Sequence, residues 1–143
     1  MIKLAMALGP QDRLVAKWAQ QAGVRYAVGG ISFTPRPDRG PEEQPWSYMP
    51  LLRAKTAYRD AGFELAVIET RPPMERAKLG LPGRDQEIEV VCELIRNMGR
   101  LGIPVYCPEW MATVGVVRTS RTIPSRGGAL VTGYDHDLMC DAP

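Results

Sequence analysis

Residues 85–107, DQEIEVVCELIRNMGRLGIPVYC, decide the fold, because a helix pattern leads directly into a strand pattern there. Asp85 is a suitable N-cap, and Gly102 can end a helix in the left-handed conformation. The apolar residues between them recur every three or four positions and form one stripe, at Ile88, Val91, Cys92, Ile95 and Met98. Residues 103–107 form a short apolar run that is typical of a buried strand. The stretch therefore predicts a helix, a glycine stop and a strand, in that order.

The same order of elements occurs twice earlier in the chain. The glycines that end the three predicted helices, Gly23, Gly62 and Gly102, are 39 and then 40 residues apart. With an opening strand near the N-terminus, the predicted strands are 3–8, 24–28, 63–68 and 103–107. Helices that alternate with strands in this way indicate a parallel sheet with right-handed crossovers.

Long loops follow the predicted strands, at 29–49, at 70–84 and from residue 109 onward, whereas the turns after the helices are very short. A doubly wound sheet is complete with about four or five strands, but an eight-stranded barrel needs about 250 residues. Elaborate loops at the C-terminal strand ends favour the barrel. We therefore predict that residues 1–143 form one partial domain of the α/β class. It is the N-terminal half of a (βα)8 TIM barrel, with about four parallel strands, three helices and an irregular C-terminal lid loop at 110–143.

Composition excludes several classes of protein. The chain has 143 residues, of which 45% are hydrophobic and 24% charged, and this is ordinary globular usage. A formal net charge of +2 is too small to indicate a nucleic-acid partner. No apolar run approaches the roughly 20 residues of a membrane-spanning helix, so we expect no membrane partner. The three cysteines, Cys92, Cys107 and Cys140, show no CxxC spacing, which favours a reducing, cytoplasmic location.

Two glutamates follow predicted strands, at the edge of the sheet where α/β enzymes build their active sites. Glu69 comes directly after the third predicted strand, and Glu109 follows the fourth. A carboxylate there can bind a metal, orient a sugar hydroxyl or move a proton. Alternatively, either glutamate caps a neighbouring helix or pairs with a nearby arginine.

The three tryptophans have different predicted environments. Trp18 lies on the apolar stripe of the first predicted helix, together with Leu14, so we expect it in the core. Trp46 and Trp110 lie on loops that follow strands. Each of these two indoles is a candidate wall of a sugar pocket, or else a cover over the mouth of the barrel.

The lid loop carries Arg118, Arg121 and Arg126, the last of which precedes Gly127 and Gly128. Guanidinium groups bind carboxylates or phosphates in a bidentate way, and glycines let backbone N–H groups approach an anion. The alternative is a solvated basic loop without a ligand.

The single histidine lies in the lid loop, among residues of the types that bind transition metals: Asp135, His136, Asp137, Cys140 and Asp141. No second cluster completes a four-coordinate site, so we favour an exposed histidine without a bound metal.

Several short motifs occur together, in a fixed order: residues 67–69 (VIE), 78–85 (KLGLPGRD), 95–99 (IRNMG), 110–111 (WM), 118–119 (RT) and 126–129 (RGGA). In the order and spacing of these motifs the sequence resembles the mannonate dehydratase family. The most specific pieces are LGLPGRD at 79–85 and RTxxxxPxRGGAL at 118–130. The resemblance covers essentially the whole chain, but only the N-terminal part of the family's longer chain.

The resemblance implies a metal-dependent (βα)8 barrel, similar to xylose isomerase-like barrels, that converts D-mannonate to 2-keto-3-deoxy-D-gluconate and water. The substrate is then a small sugar acid, and the metal is Mn²⁺ or Fe²⁺. The family's His, Cys and Asp metal ligands come from later strands, so we expect no metal site in this chain and no activity from it alone. In such an enzyme Arg118 is a candidate clamp for a substrate carboxylate or hydroxyl. Arg84 lies near the substrate or braces its loop, and Glu69, Glu109 and Trp110 are further candidates for substrate binding.

Two departures from the family leave other functions open. Pro108 and Glu109 stand where the family has a Tyr-Asn pair, and Val116 stands where it has an aromatic residue. One alternative is therefore a sugar or sugar-acid isomerase or epimerase on the same barrel. The other is a non-catalytic half-barrel that associates with itself, because half a barrel leaves parallel strand edges unpaired. We accordingly expect either a homo-oligomer or a missing C-terminal half.

Overall fold

A computed structural model describes residues 2–72, 74–112 and 115–139. Its strands are β1 (Ala5–Ala7), β2 (Tyr26–Gly29), β3 (Glu64–Thr70) and β4 (Val105–Pro108). Its helices are α1 (Arg13–Gln21), α2 (Tyr48–Asp60), α3 (Glu75–Leu79) and α4 (Arg84–Leu101). The four strands form one parallel sheet in chain order, so the predicted strand order and direction are confirmed.

The helix boundaries follow from local chemistry. The Asp12 carboxylate accepts a hydrogen bond from the Val15 amide (3.1 Å) and caps α1, as the sequence predicts. Gly102 ends α4 with a φ of 65°, a conformation that glycine adopts without a Cβ clash. The predicted cap at Asp85 is wrong: the cap is Gly83, two residues earlier, α4 begins at Arg84, and Asp85 lies in its first turn. A carboxylate there still stabilises the positive end of the helix dipole.

The two faces of the sheet have different environments. Ala27 and Ile68 point toward the helices and are fully buried together with Leu51 and Leu94. Alternate residues of a strand point to opposite faces, so Glu69 lies on the other side. That side, here called the open face, carries two rows of register partners: Ala7, Val28, Val67 and Val105, and nearer the C-terminal strand ends Glu69 and Cys107. Glu69 and Cys107 are exposed.

Apolar side chains are also exposed at both ends of the helix layer. Gln20 of α1 contacts the end of α2 through the Ala61 carbonyl (3.2 Å), and Trp18 lies about 160° around the helix from Gln20. Ile95 of α4 lies about 160° from Glu93, which contacts the start of α2. We call the exposed pairs the outer flanks: Leu14 with Trp18, and Ile88 with Ile95.

Two predictions about the helices are wrong. Trp18 is not in the core: it is 56% exposed, and the buried side of α1 is formed by Ala16 and Ala19. The apolar stripe therefore marks an outer flank rather than a contact with the sheet. The structure also has a fourth helix, the short α3, inside the predicted loop at 70–84. No helix in the described ranges is both long enough and apolar enough to cross a membrane.

Residues Met111–Pro143 form a separate compact unit from Met1–Trp110. Within it, β5 (Ser120–Pro124) and β6 (Leu130–Gly133) pair as an antiparallel hairpin. The lid loop was expected to be irregular, so this hairpin is a correction. The first three residues of β5, Ser120, Arg121 and Thr122, are all polar, so the strand lacks the alternating pattern that would have indicated it. A turn at Arg126–Gly128 connects the strands, with positive φ at Gly127 and Gly128.

Candidate functional site

The C-terminal ends of β3 and β4 bring charged and aromatic side chains together. Glu69 lies on the open face beside Cys107, because the two residues are register partners in the parallel ladder. Their side chains are exposed where a βα-barrel enzyme would hold its substrate. The carboxylate of Glu69 is therefore accessible to a ligand that approaches this edge of the sheet.

Glu109 forms an ion pair at the same edge. Its Oε2 lies 3.3 Å from Nη2 of Arg71, and its backbone N–H donates a hydrogen bond to the Thr70 carbonyl (3.1 Å). Both charged side chains are about two-fifths exposed, so the pair is solvated and contributes little to stability. It places a carboxylate and a guanidinium side by side at the ends of two adjacent strands.

Trp110 follows Glu109 and is 64% exposed. The ammonium of Lys78 lies over its ring, 5.7 Å from the centroid. Lys78 also lies 3.1 Å from Oε1 of Glu75, and its own side chain is 0% exposed. The indole thus has a buried cation on one side and solvent over much of its surface.

The loop after β2 reaches the same edge but does not contribute its tryptophan. The Thr70 hydroxyl donates to the Ile31 carbonyl (2.8 Å) and ties this loop to the end of β3. Trp46, considered above as a possible pocket wall, is only 8% exposed and packs on Phe33 (6.1 Å between centroids). Trp46 therefore covers the core.

Arg84 lies at the start of α4, where its Nε is 3.6 Å from Oδ1 of Asp85. It lines a shallow pocket of about 360 Å³ that is formed by residues 80–85. This places Arg84, the arginine of the LGLPGRD motif, at the N-terminal end of α4 rather than at the strand ends.

Arg118 belongs to the second unit and braces its hairpin. Its Nε donates to Oγ1 of Thr132 and its Nη1 to the Val117 carbonyl, both at 3.1 Å. The other two arginines of the lid loop, Arg121 and Arg126, are exposed.

The histidine of the lid loop contacts a tyrosine: Nδ1 of His136 and the Tyr134 hydroxyl are 2.9 Å apart. Cys140 and Asp141, the remaining members of that cluster, lie outside the described residues. Across 2–72, 74–112 and 115–139, no three His, Cys, Asp or Glu side chains are grouped so that they can hold a metal ion. The residues of these ranges therefore do not fit the divalent metal that the resemblance implies.

Arg71 and Lys78 were missed as site residues. Arg71 follows β3 directly, so its position at the C-terminal end of a strand could have indicated it in the same way as Glu69. Lys78 is the first residue of the KLGLPGRD motif, but no sequence pattern indicated that its ammonium would be buried.

The fold and this edge define a protein built of parallel βα units, with polar and aromatic groups at the C-terminal strand ends. Comparison with known families and structures identifies the lineage. The sequence model of D-mannonate dehydratase (UxuA) matches residues 2–143. The chain therefore belongs to the D-mannonate dehydratase (UxuA) family.

Individual relatives agree with this assignment. The mannonate dehydratase of Thermotoga neapolitana is 34% identical over 120 residues, which are 84% of this chain and 32% of the relative. That of Streptococcus pneumoniae is 37% identical over 89 residues, or 62% of this chain and 24% of the relative. The chain thus spans about a third or less of the length of these relatives.

A solved structure matches the whole chain. The crystal structure of mannonate dehydratase from Streptococcus suis serotype 2 superposes with a TM-score of 0.79 at 25% identity. The match covers 100% of this chain and 40% of that one. The predicted α/β fold is confirmed, as a four-stranded parallel sheet with helices that corresponds to part of a mannonate dehydratase.

Proposed function

We propose that this chain supplies the first βα units of an enzyme that dehydrates D-mannonate to 2-keto-3-deoxy-D-gluconate. The observation that carries the proposal is the match of residues 2–143 to the D-mannonate dehydratase family. The chain covers only 24–40% of the relatives named above, so turnover requires further polypeptide, and the 143 residues alone are inactive.

The strand-end residues suit a polyhydroxy acid. Glu69 accepts hydrogen bonds from substrate hydroxyls, and Arg71 beside Glu109 donates them. Trp110 offers an apolar face to the carbon chain. Arg84, at the start of α4, and Arg118, in the hairpin of the second unit, stay predictions as partners of a substrate carboxylate, because a guanidinium binds a carboxylate through two parallel hydrogen bonds.

The reaction removes the proton on C2 and expels the hydroxyl on C3 as water, and the resulting enol becomes the 2-keto group. Negative charge builds on the carboxylate as the C2 proton leaves, so cationic donors that point there stabilise the transition state. Donors on this chain can bind and orient the substrate. We place the metal ligands on the part of the family's chain that these residues do not span.

The outer flanks support the need for further polypeptide. β1 and β4 each pair with one strand within the described ranges, and the residues of both outer flanks are exposed. Next to β4 is an open groove of about 330 Å³, lined by Ile95, Met98 and Tyr106 among others. The buried Tyr106 hydroxyl has no hydrogen-bond partner in the described part of the chain. We propose that further βα units or a second copy of this chain cover both flanks.

A chimera tests the function. Residues 1–143 replace the matching N-terminal third of the Thermotoga neapolitana enzyme, and the product is incubated with D-mannonate and Mn²⁺. We expect a 2-keto-3-deoxy acid, detected by mass spectrometry as loss of one water. Formation of an epimer alone would favour the isomerase alternative, which the Pro108 and Glu109 departure keeps open. A folded, metal-loaded chimera with no product would contradict both assignments.

We propose a cytoplasmic protein with reduced thiols. Among the described residues, Cys92 and Cys107 are free cysteines.

A further inference from the structure

Lys78 is a buried cation directly behind an exposed aromatic ring. Its side chain is 0% exposed, whereas Trp110, over whose ring the ammonium lies, is 64% exposed. A lysine usually keeps its ammonium in water, because removing it carries a large desolvation penalty. The carboxylate of Glu75 at 3.1 Å and the indole face at 5.7 Å offset part of that penalty.

The burial of the Lys78 side chain decides whether it contacts a ligand directly or acts through a neighbouring residue. An ammonium with no solvent-accessible surface cannot contact a substrate that enters from solvent. It can determine where the indole lies, because it occupies one side of the ring and is attracted to it. Lys78 can therefore act on such a ligand through the ring of Trp110.

The contact joins two loops that are far apart in sequence. Lys78 lies on α3, in the segment after β3, and Trp110 lies just after β4. The residue before Trp110, Glu109, is also tied to the β3 end through Arg71. Both contacts tie the residues after β4 to the segment after β3, and the ammonium of Lys78 lies over the ring of Trp110.

We propose that Lys78 is a positioning residue that fixes the indole of Trp110 as a rigid wall against which the carbon chain of a sugar acid packs. The role deepens the proposed function and rests on it, since the ligand is the substrate class proposed above. The exposed part of the indole offers an apolar surface to the C–H groups of the ligand, while the hydroxyls remain free to bond to Glu69 and Arg71.

Fluorine NMR tests the positioning on the full chain. Growth with 5-fluorotryptophan gives one signal each for Trp18, Trp46 and Trp110, and W110F assigns the third. We expect K78M to shift and sharpen the Trp110 signal while the other two stay in place, because the ring loses its anchor. K78R keeps a cation there and should largely restore the signal. The matched control K17M removes an exposed lysine on α1 and should leave all three signals unchanged. An unchanged Trp110 signal in K78M would overturn the proposal.

Titration with D-mannonate separates this inference from the proposed function. The same spectra should show the Trp110 signal moving with ligand, with an affinity about three- to fivefold lower in K78M than in the unmodified chain. W110A should remove the dependence on residue 78, so that W110A/K78M binds no more weakly than W110A. If the unmodified chain fails to bind, the sugar-acid site is contradicted, while the K78M spectrum still decides whether Lys78 orients the indole. Binding by K78M at full affinity would reject the role of Lys78 and leave the site intact.

A second variant covers the case in which K78M does not fold. E75Q removes the half-exposed carboxylate beside Lys78 and leaves the ammonium in the chain. We expect the Trp110 signal to shift in the same direction as in K78M, but less. An unchanged Trp110 signal in a folded E75Q would count against the proposal.

Discussion

The indole Nε1 of Trp46 donates a hydrogen bond to Oε2 of Glu93 (3.1 Å), joining the end of the loop after β2 to the middle of α4. The other oxygen of Glu93 lies 2.9 Å from the Ser47 hydroxyl. Asn97, one turn further along α4, donates from its amide to the Trp46 carbonyl (3.2 Å). Trp46 and Ser47 are both buried. The Trp46 N–H takes its acceptor from α4, whereas the Ser47 hydroxyl also contacts the Pro41 carbonyl (2.6 Å).

Replacing Glu93 by alanine should therefore destabilise the chain. The Trp46 N–H would be left buried without an acceptor, which costs about 1–3 kcal/mol. Urea unfolding followed by circular dichroism measures the loss. The matched control is E89A on the same helix, where the carboxylate pairs with Arg96 in solvent and its loss should have no measurable effect. Equal stability of E93A and E89A would contradict the structural role of the Trp46 contact.

Removing the hydroxyl of Tyr58 and removing that of Tyr106 should affect stability differently. Its buried hydroxyl donates to the Leu8 carbonyl (2.9 Å) and links α2 to the end of β1. Y58F should cost about 1 kcal/mol, because it leaves the carbonyl without this partner. Y106F is the control, since the Tyr106 hydroxyl is buried without a partner in the described ranges and its removal should be neutral or stabilising.

The same two tyrosines predict how stability depends on alkaline pH. Burial raises the pKa of Tyr58 and of Tyr106 above the ordinary value of 10.0. A raised pKa in the folded state means that the folded chain holds the proton more tightly than the unfolded chain. The stabilisation is therefore complete below pH 10.0 and is lost as the pH rises above it. Thermal unfolding of Y58F and Y106F between pH 8 and about 11.5 should show a shallower alkaline loss than the unmodified chain.

Glu69 and Glu64 lie at opposite ends of β3 and give a matched test of the site. In the active chimera, E69Q should lower kcat/KM for D-mannonate at least about tenfold, because a carboxylate that accepts substrate hydroxyl bonds is replaced by a neutral amide. E64Q makes the same chemical change at the N-terminal end of the strand and should leave the rate unchanged. If the two variants lose activity equally, the C-terminal edge of the sheet is not the site.

The sheet could be predicted from the sequence because each of its signals is local. Apolar periodicity and the stop glycines Gly23, Gly62 and Gly102 specify where helices end and strands begin. The same periodicity led to the wrong prediction that Trp18 lies in the core. An apolar stripe shows which surface of a helix is apolar, but it does not show whether another part of the chain covers that surface. The contact between the Lys78 ammonium and the Trp110 ring could not be predicted either, because these two residues meet only after two βα loops have folded onto each other.

The last prediction is that the isolated chain associates with itself through its outer flanks. Leu14 and Trp18 on α1, and Ile88 and Ile95 on α4, are exposed on the sides that point away from α2. Burying such side chains between molecules is favourable at roughly 25 cal/mol per Å² of apolar area, so the isolated chain should sediment at more than the monomer mass. W18E and I95E place a charge on each flank and should reduce association without lowering the stability of a monomer.

Leu79 on α3 provides the control, since it is also exposed but lies outside both flanks. L79E adds the same charge and should leave the sedimentation unchanged. Association that persists in the double variant W18E/I95E would show that the contact lies elsewhere, and a monodisperse monomer of the unmodified chain would contradict the prediction. If W18E and I95E each reduce association, both flanks take part in the contact, as they must when two half-sheets close on each other at both edges. If only one of them acts, the copies meet through a single flank and the other edge remains open for further βα units.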